Sequence, residues 1–167
     1  MTVFPNKCGI GHAVFENPRF PVEWGICDMR GDDRHNKAVR RINALVDRYS
    51  PDTLVLRDLA DVRLKRGRRH YRLLKALEAL GKSRGISTMR FSRAEIRRSF
   101  DALRSPTRHA IVHAIAEQIP TFEAYTPPVK KIWQTEDRRM VLFDAAALAL
   151  TFYRTRHADD PITADAR

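Results

Sequence analysis

The chain has 167 residues, of which 43% are hydrophobic, enough to bury one core. We expect a single domain over residues 1–157 and a disordered tail at 158–167, where apolar residues are few. The 31 Lys and Arg residues against 20 Asp and Glu residues give a formal net charge of +11. This excess favours a polyanionic partner, above all nucleic acid. No apolar run approaches the ~18 residues of a membrane span, so no membrane partner is expected.

The N-terminal residues and the cysteines both bear on the cellular compartment. The first residues lack a basic region followed by an apolar one, so no secretion signal is predicted. The two cysteines, Cys8 and Cys27, are too few to suggest a disulfide-stabilised secreted domain and favour reduced thiols packed as small apolar groups. We therefore expect a soluble, cytoplasmic protein.

Five strands are predicted from short apolar runs bounded by Gly, Pro, Asn and Asp. In chain order they span residues 2–4, 12–15, 22–29, 53–56 and 86–91. The first three follow one another through turns, as in an antiparallel meander. The fourth is continuously apolar and suits a central strand covered on both faces. A helix precedes it, with a buried stripe at Val39, Ile42, Leu45 and Val46.

The remaining predicted helices lie in the second half of the chain. The first follows the fourth strand and ends at Gly81 or Gly85. After the fifth strand, Ser92 and Glu95 form a capping-box pattern, which predicts a helix over residues 93–103. The last two helices span residues 106–119 and 135–157. This order of elements predicts an α/β domain with a mixed five-stranded sheet flanked by helices.

The last predicted helix places one acid, Asp144, among apolar residues. Val141 and Leu148 are its neighbours at helical spacing, so Asp144 lies on a face that is otherwise core. A carboxylate in such a place needs a hydrogen-bond partner, a cation or a metal ion. Alternatively, Asp144 stands at the edge of the apolar stripe and reaches water.

Three parts of the chain carry a resemblance to a known family. Residues 2–5 and 9–14 read TVFP and GIGHAV, residues 54–58 read LVLRD, and residues 144–150 read DAAALAL. In this order they resemble the first hairpin, the fourth strand and the last catalytic helix of the RuvC-like Holliday-junction resolvases, which have the ribonuclease H-like fold. The resemblance implies a homodimer that cuts branched DNA with four carboxylates and two Mg²⁺ ions. Two such ions, roughly 4 Å apart, stabilise the attacking and leaving oxygens and need hard oxygen ligands.

The chain departs from this pattern at three of the four carboxylate positions. Asp144 matches, whereas Phe4, Arg57 and Val141 stand where the resemblance places the other acids. We therefore expect a pseudo-enzyme with two-metal cleavage lost or impaired, and Asp144 is the candidate ligand for Mg²⁺ if any metal binds. Arg57 suggests a substitute for the metal, because a salt bridge between Arg57 and Asp144 would supply a fixed positive charge.

Three other acids are weaker candidates for a retained catalytic site. Asp58 follows Arg57, but strand alternation points Asp58 to the opposite face of the sheet unless a bulge shifts the register. Asp137 lies about 10 Å along the helix from Asp144, too far for both to bind one ion directly. Glu136 and Asp137 are also acids at a helix start, where the macrodipole stabilises them.

Basic side chains are dense after the fourth strand, on the face where the resemblance places the substrate. Phosphate contacts there would be independent of base sequence and would weaken steeply with salt. The alternative is a solvated basic helix face without a partner. The candidate nucleic-acid-binding residues are Arg63, Lys65, Arg66, Arg68, Arg69, Arg72, Lys75, Arg108, Lys130 and Lys131.

Three functions are compatible with these observations. The first is binding of nucleic acid, in particular branched or structured DNA, with cleavage lost or impaired. The second is an active Mg²⁺-dependent, structure-selective endodeoxyribonuclease that uses Asp144 with some of the weaker acids. The third is a non-catalytic scaffold subunit of a larger nucleoprotein complex.

Overall fold

A five-stranded sheet forms the centre of the protein. The computed structural model describes residues 1–6, 9–27, 33–62, 64–104, 106–128 and 136–159. The strands are β1 (Thr2–Asn6), β2 (Gly9–Asn17), β3 (Phe20–Cys27), β4 (Thr53–Arg57) and β5 (Ser87–Phe91). Their order across the sheet is β3-β2-β1-β4-β5. The β1–β2 and β2–β3 pairs are antiparallel, whereas the β1–β4 and β4–β5 pairs are parallel, which confirms the predicted mixed sheet.

Helices cover both faces of the sheet. The α-helices are α1 (Arg34–Tyr49), α2 (Leu64–Ser83), α3 (Arg93–Arg98), α4 (Arg108–Gln118) and α5 (Met140–Asp159). Two short 3₁₀ helices span Leu59–Asp61 and Pro120–Tyr125. No helix in these described ranges is both long enough and apolar enough to cross a membrane.

Alternation along the strands divides the core into two layers. Phe4, Ala13 and Val55 point to one face and pack with α3, α4 and α5. Val3 and Ile10 point to the other face and pack with α1 and α2. Helix α5 is buried almost all round, because it lies between the sheet on one side and α3 and α4 on the other.

Glycine allows α5 to lie directly on the sheet. A Cβ atom added at Gly11 of β2 would clash with the backbone carbonyl oxygen of Val141, in the first turn of α5. Residue 11 therefore needs to be glycine for this close approach. The contact fixes the height of the first turns of α5 above β1 and β2, and with it the position of Asp144.

Several element boundaries differ from the predicted ones. Strand β1 continues through Pro5. Proline has no N–H to donate, but the parallel ladder with β4 involves only Thr2 and Val3, so Pro5 interrupts no hydrogen bond to β4. The helix predicted over residues 93–103 ends at Arg98. There the hydroxyl of Ser99 bonds to the carbonyl oxygen of Ile96, at 2.8 Å, and competes with helical hydrogen bonding.

Helix α5 also differs from its predicted range of residues 135–157. It begins at Met140, after an Asx turn in which Asp137 accepts a hydrogen bond from the backbone N–H of Arg139 at 2.9 Å. Its other end extends to Asp159, two residues into the expected tail. Residue 135 and residues 160–167 lie outside the described part of the chain.

Candidate functional site

The candidate site lies where the parallel strands β1, β4 and β5 end. Asn6 is the last residue of β1, Arg57 is the last residue of β4, and Arg93 follows β5 after one intervening residue. Ligands of open α/β sheets bind at this edge, because loops and helix starts there leave polar groups unpaired. The early part of α5 carries Asp144 to the same edge.

Asp144 is held by hydrogen bonds rather than exposed to water. Its side chain is 13% exposed. Oδ1 accepts a hydrogen bond from Nε of Arg108 at 2.8 Å, and Oδ2 accepts a very short one from Nη2 of the same guanidinium. Asn6 donates a third bond from Nδ2 to Oδ2 at 3.4 Å. Burial raises the pKa of the Asp144 carboxyl, and the bidentate contact with Arg108 opposes that rise.

Arg108 joins Asp144 to a second acid. Helix α4 begins at Arg108 because Thr107 caps it, accepting a bond from the backbone N–H of Ala110 at 3.2 Å. The cap directs the first side chain of α4 towards α5. The guanidinium also forms a close ion pair with Glu136. One arginine thus bridges two carboxylates that belong to different segments.

The predicted salt bridge between Arg57 and Asp144 is wrong. Arg57 is buried, 7% exposed, but its Nη2 donates to the backbone carbonyl oxygen of Asp61 at 2.8 Å. Its guanidinium also lies over the ring of Phe4, 5.4 Å from the ring centre. The turn after β4 therefore holds the guanidinium of Arg57 at Asp61. Burial and the charge of Arg93 lower the pKa of Arg57, and the charges of Asp61 and Asp144 oppose that lowering. Arg57 and Asp144 thus share one electrostatic environment although they form no ion pair in the described part of the chain.

Two of the three departed positions adjoin each other at the site, and the third is buried in the core. Phe4 lies in the wall of a cavity beside Asp144. Arg57 lies next to Phe4, as described above. Val141 is fully buried in the layer between α5 and the sheet. Phe4 therefore lies near Asp144, and Arg57 lies beside Phe4.

The weaker acidic candidates divide into three cases. Asp58 accepts a hydrogen bond from the backbone N–H of Ala60 at 2.9 Å and caps the following 3₁₀ helix. Asp137 binds the guanidinium of Arg139, with Nη2 2.8 Å from Oδ2. Glu136 shares a partner with Asp144, namely Arg108.

These residues do not fit a two-metal centre in this arrangement. Mg²⁺ requires several oxygen ligands in near-octahedral geometry. Around Asp144 the neighbouring groups are the guanidinium of Arg108, the amide of Asn6 and the ring of Phe4. Within the described ranges, no group of three or more His, Cys, Asp or Glu side chains could hold a metal ion.

The basic segment predicted to bind nucleic acid forms the first half of α2. Arg68, Arg69, Arg72 and Lys75 are exposed there. His70 anchors this half of the helix at the site, because its Nε2 lies 2.9 Å from the backbone carbonyl oxygen of Asn6. Lys65 and Arg66 lie in α2, but their side chains are outside the description. Arg63, Lys130 and Lys131 lie outside the described residues.

A cavity of about 130 Å³ opens beside Asp144. Its polar rim includes Arg93 and Arg97, which are four residues apart and share one face of α3. Sequence reasoning counted Arg93 and Arg97 in a general positive surface but did not place them at a cavity beside Asp144, and it missed Asn6 and the pairing role of Arg108. The spacing of Arg93 and Arg97 directly after β5 was the available signal. The contacts of Asn6 and Arg108 depend on residues more than 30 positions away.

Comparison with known proteins identifies the fold. No protein-family model matches the sequence, and no curated protein is detectably similar to it. The structure is similar to RuvC of T. thermophilus in complex with a Holliday junction substrate, with a TM-score of 0.67, 12% identity and coverage of 93% of both chains. It is also similar to the Thermus thermophilus RuvC structure, with a TM-score of 0.66, 12% identity and coverage of 93% of this chain and 94% of that one. The protein therefore has the RuvC-like, ribonuclease H-like fold.

Proposed function

We propose that the protein binds branched or structured DNA at the carboxyl edge of its sheet and has lost two-metal cleavage. One observation carries this proposal: Arg108 forms a bidentate pair with Asp144, the acid that matches the resolvase pattern. A fixed guanidinium occupies the place where a metal ion would need open carboxylate oxygens. The site keeps positive charge but has few metal ligands.

The charge distribution supports a phosphate backbone as the partner. The chain carries a net charge of +11. Arg68, Arg69 and Arg72 are exposed on the part of α2 that contacts the end of β1. The neighbour with a TM-score of 0.67 is RuvC bound to a Holliday junction substrate, which makes a four-way junction the first DNA to test. The same likeness suggests a homodimer, and DNA as a partner is consistent with a cytoplasmic protein.

A second candidate is an active Mg²⁺-dependent, structure-selective endodeoxyribonuclease. Glu136 and Asp144 favour it, because both carboxylates bind the same guanidinium. If Arg108 moved to a DNA phosphate, two acids would be released together. Cleavage of a labelled four-way junction with Mg²⁺ tests this, with Asp144→Asn as the control. We expect no cleavage by either protein, and activity that Asp144→Asn abolishes would establish the nuclease instead.

Binding of the same junction across a salt series tests the main proposal. The expected result is a steep fall in affinity, with a log–log slope that decreases by about 0.9 for each phosphate contact removed. Arg68→Gln with Arg72→Gln should weaken binding and lower the slope. A matched control is Arg48→Gln with Lys82→Gln, which removes equal charge from α1 and from the far end of α2.

The same salt series distinguishes the proposed DNA-binding function from the scaffold alternative. A subunit that only binds other proteins would show no junction affinity at moderate salt. Equal weakening by the two double variants would mean that binding follows net charge and that the edge surface of α2 has no special role.

A further inference from the structure

The cavity beside Asp144 combines an apolar interior with a cationic rim. Its apolar lining comes from β1, α3, α4 and α5 and includes Phe4, Ile96, Ile111, Val112 and Phe143. The volume of about 130 Å³ approaches that of apolar protein cavities of about 150 Å³ that accept one aromatic ring. The cavity is therefore comparable in size to one flat ring, and it is open to the surface at its rim.

The rim arginines differ from Arg108 in their bonding. Arg108 is neutralised by two carboxylates. The side chains of Arg93 and Arg97 form no ion pair with any residue in the described part of the chain, and both are exposed. Burial raises the pKa of the Asp144 carboxyl, and the charge of Arg93 opposes that rise together with Arg108, so Arg93 acts on the same site. Two guanidinium groups without carboxylate partners at the mouth of an apolar cavity suit a ligand with an anionic group beside an apolar ring.

We propose that this cavity accepts one unpaired nucleotide of a DNA strand, with its base among the apolar walls and its phosphate bound by Arg93 and Arg97. The proposal rests on the proposed DNA-binding function and deepens it by naming the feature of the DNA that is recognised. A nucleotide is the unit of a DNA strand that carries a flat ring and a phosphate at short separation. Bidentate arginine contacts match the phosphate, and apolar or aromatic walls match the base without selecting its identity.

The energetics of base extrusion favour an unpaired nucleotide over a paired one. A paired base must lose its stacking and its partner before it enters a pocket, whereas an unpaired base has already lost the partner. The cavity adjoins the end of β1, where His70 and Asn6 link α2 to the site. A strand whose phosphates follow Arg68, Arg69 and Arg72 thus passes close to the cavity.

The test compares DNA with and without an unpaired base. Fluorescence anisotropy measures the affinity of the full chain for a fully paired four-way junction, for a forked duplex with a short single-stranded tail, and for the same fork with abasic nucleotides in the tail. We expect the abasic fork to bind about tenfold more weakly than the normal fork, because one base–pocket contact is lost. Equal affinity for the two forks overturns the proposal.

Variants assign the effect to the cavity. In Arg93→Gln with Arg97→Gln, the fork should bind about tenfold more weakly and the abasic penalty should shrink to less than twofold, because the base and the arginines act together. Arg98→Gln with Arg104→Gln removes the same charge from exposed positions outside the cavity lining and should retain the abasic penalty. An abasic penalty that is identical in both double variants contradicts the assignment.

Two further results separate this inference from the proposed function. If the paired junction binds well and the abasic fork shows no penalty, DNA binding stands and the cavity proposal fails. If no DNA binds, both fail. A free deoxynucleoside monophosphate is the competitor in a last experiment: displacement of the fork at the affinity of the fork itself would assign the cavity to a free nucleotide and overturn the strand proposal.

Discussion

Two polar clusters lie on opposite faces of the same sheet. The site cluster consists of Asp144, Arg108 and Glu136, on the α5 face. The outer-strand cluster lies on the α1 face and consists of His12, Glu23, Arg41, Tyr49 and Cys27. In it Glu23 accepts hydrogen bonds from Arg41 at 3.3 Å and from the hydroxyl of Tyr49 at 3.2 Å. His12 is 2% exposed, and its Nε2 lies 3.8 Å from Oε1 of Glu23.

The difference between the clusters lies in their surroundings rather than in their chemistry. Both contain an arginine–carboxylate pair and a buried polar group. The outer-strand cluster joins α1 to β3, which stabilises an edge of the sheet. The site cluster opens into a cavity and borders the unpaired guanidinium groups of Arg93 and Arg97 within the described residues. Burial of polar groups alone therefore does not distinguish the two clusters, whereas the adjoining cavity with exposed cations does.

The largest expected loss of stability comes from substitution of Gly11, on the face of the site cluster, and Gly25 on the face of the outer-strand cluster provides the comparison. Gly11→Ala should destabilise the protein by about 3 kcal/mol or more, because the added Cβ meets the backbone of α5 at Val141. Gly25→Ala should cost only about 1 kcal/mol, because its Cβ would lie 2.9 Å from the ring of His12, a side chain that can shift. Urea unfolding at neutral pH measures both. Equal losses would show that α5 adjusts its height above the sheet as easily as His12 moves.

Removal of each arginine sharpens the comparison. Arg108→Met should destabilise the fold by about 2–3 kcal/mol, because Asp144 is left buried without its main partner. Arg41→Met should cost less than about 1 kcal/mol, because Glu23 is more exposed and keeps the Tyr49 hydroxyl. Urea unfolding of Arg108→Met combined with Asp144→Leu provides the control and should recover most of the loss. Failure to recover would mean that Arg108 stabilises α4 by packing rather than by pairing.

The smallest effect is a pH dependence that originates in the outer-strand cluster. Burial, assisted by the charge of Arg41 and opposed by Glu23, lowers the pKa of His12 below its ordinary value of 6.5. Below pH 6.5 the unfolded chain therefore binds a proton that the folded protein does not. Above pH 6.5 His12 therefore does not reduce the free energy of unfolding. As the pH drops from 6.5 towards the pKa of His12 in the folded protein, the free energy of unfolding falls. Thermal melts of the wild type and of His12→Gln between pH 7.5 and about 5 measure this loss of stability, which should be smaller in the variant.

His70 contributes to the same pH window and serves as an internal reference. Its pKa is also lowered, mainly by burial. The His12→Gln variant should therefore lose only part of the acid sensitivity of the wild type. Identical pH profiles for the two proteins would show that His12 does not titrate in this range.

Local patterns were sufficient to predict most of the elements. The Ser92–Glu95 capping box forms as expected, and Gly85 adopts a positive φ of 67° just after α2 ends. Such features depend on residues a few positions apart, so sequence contains them directly. The predicted helix end at residue 103 was wrong. The helix ends before Ser99, whose hydroxyl forms a hydrogen bond of 2.8 Å with the hydroxyl of Thr151 in α5, a contact that local sequence does not contain.

The sequence by itself determined that Asp144 lies in an apolar helix and needs a partner. It also determined the order of strands and helices, which sufficed to identify the fold. Only the tertiary structure decided which arginine pairs with Asp144. Arg57 and Arg108 carry the same group, and the choice depends on how α4 and β4 approach α5, across separations of 36 residues and more. The carbonyl oxygen of Asp61 holds Arg57, and the capped start of α4 directs Arg108 to the acid.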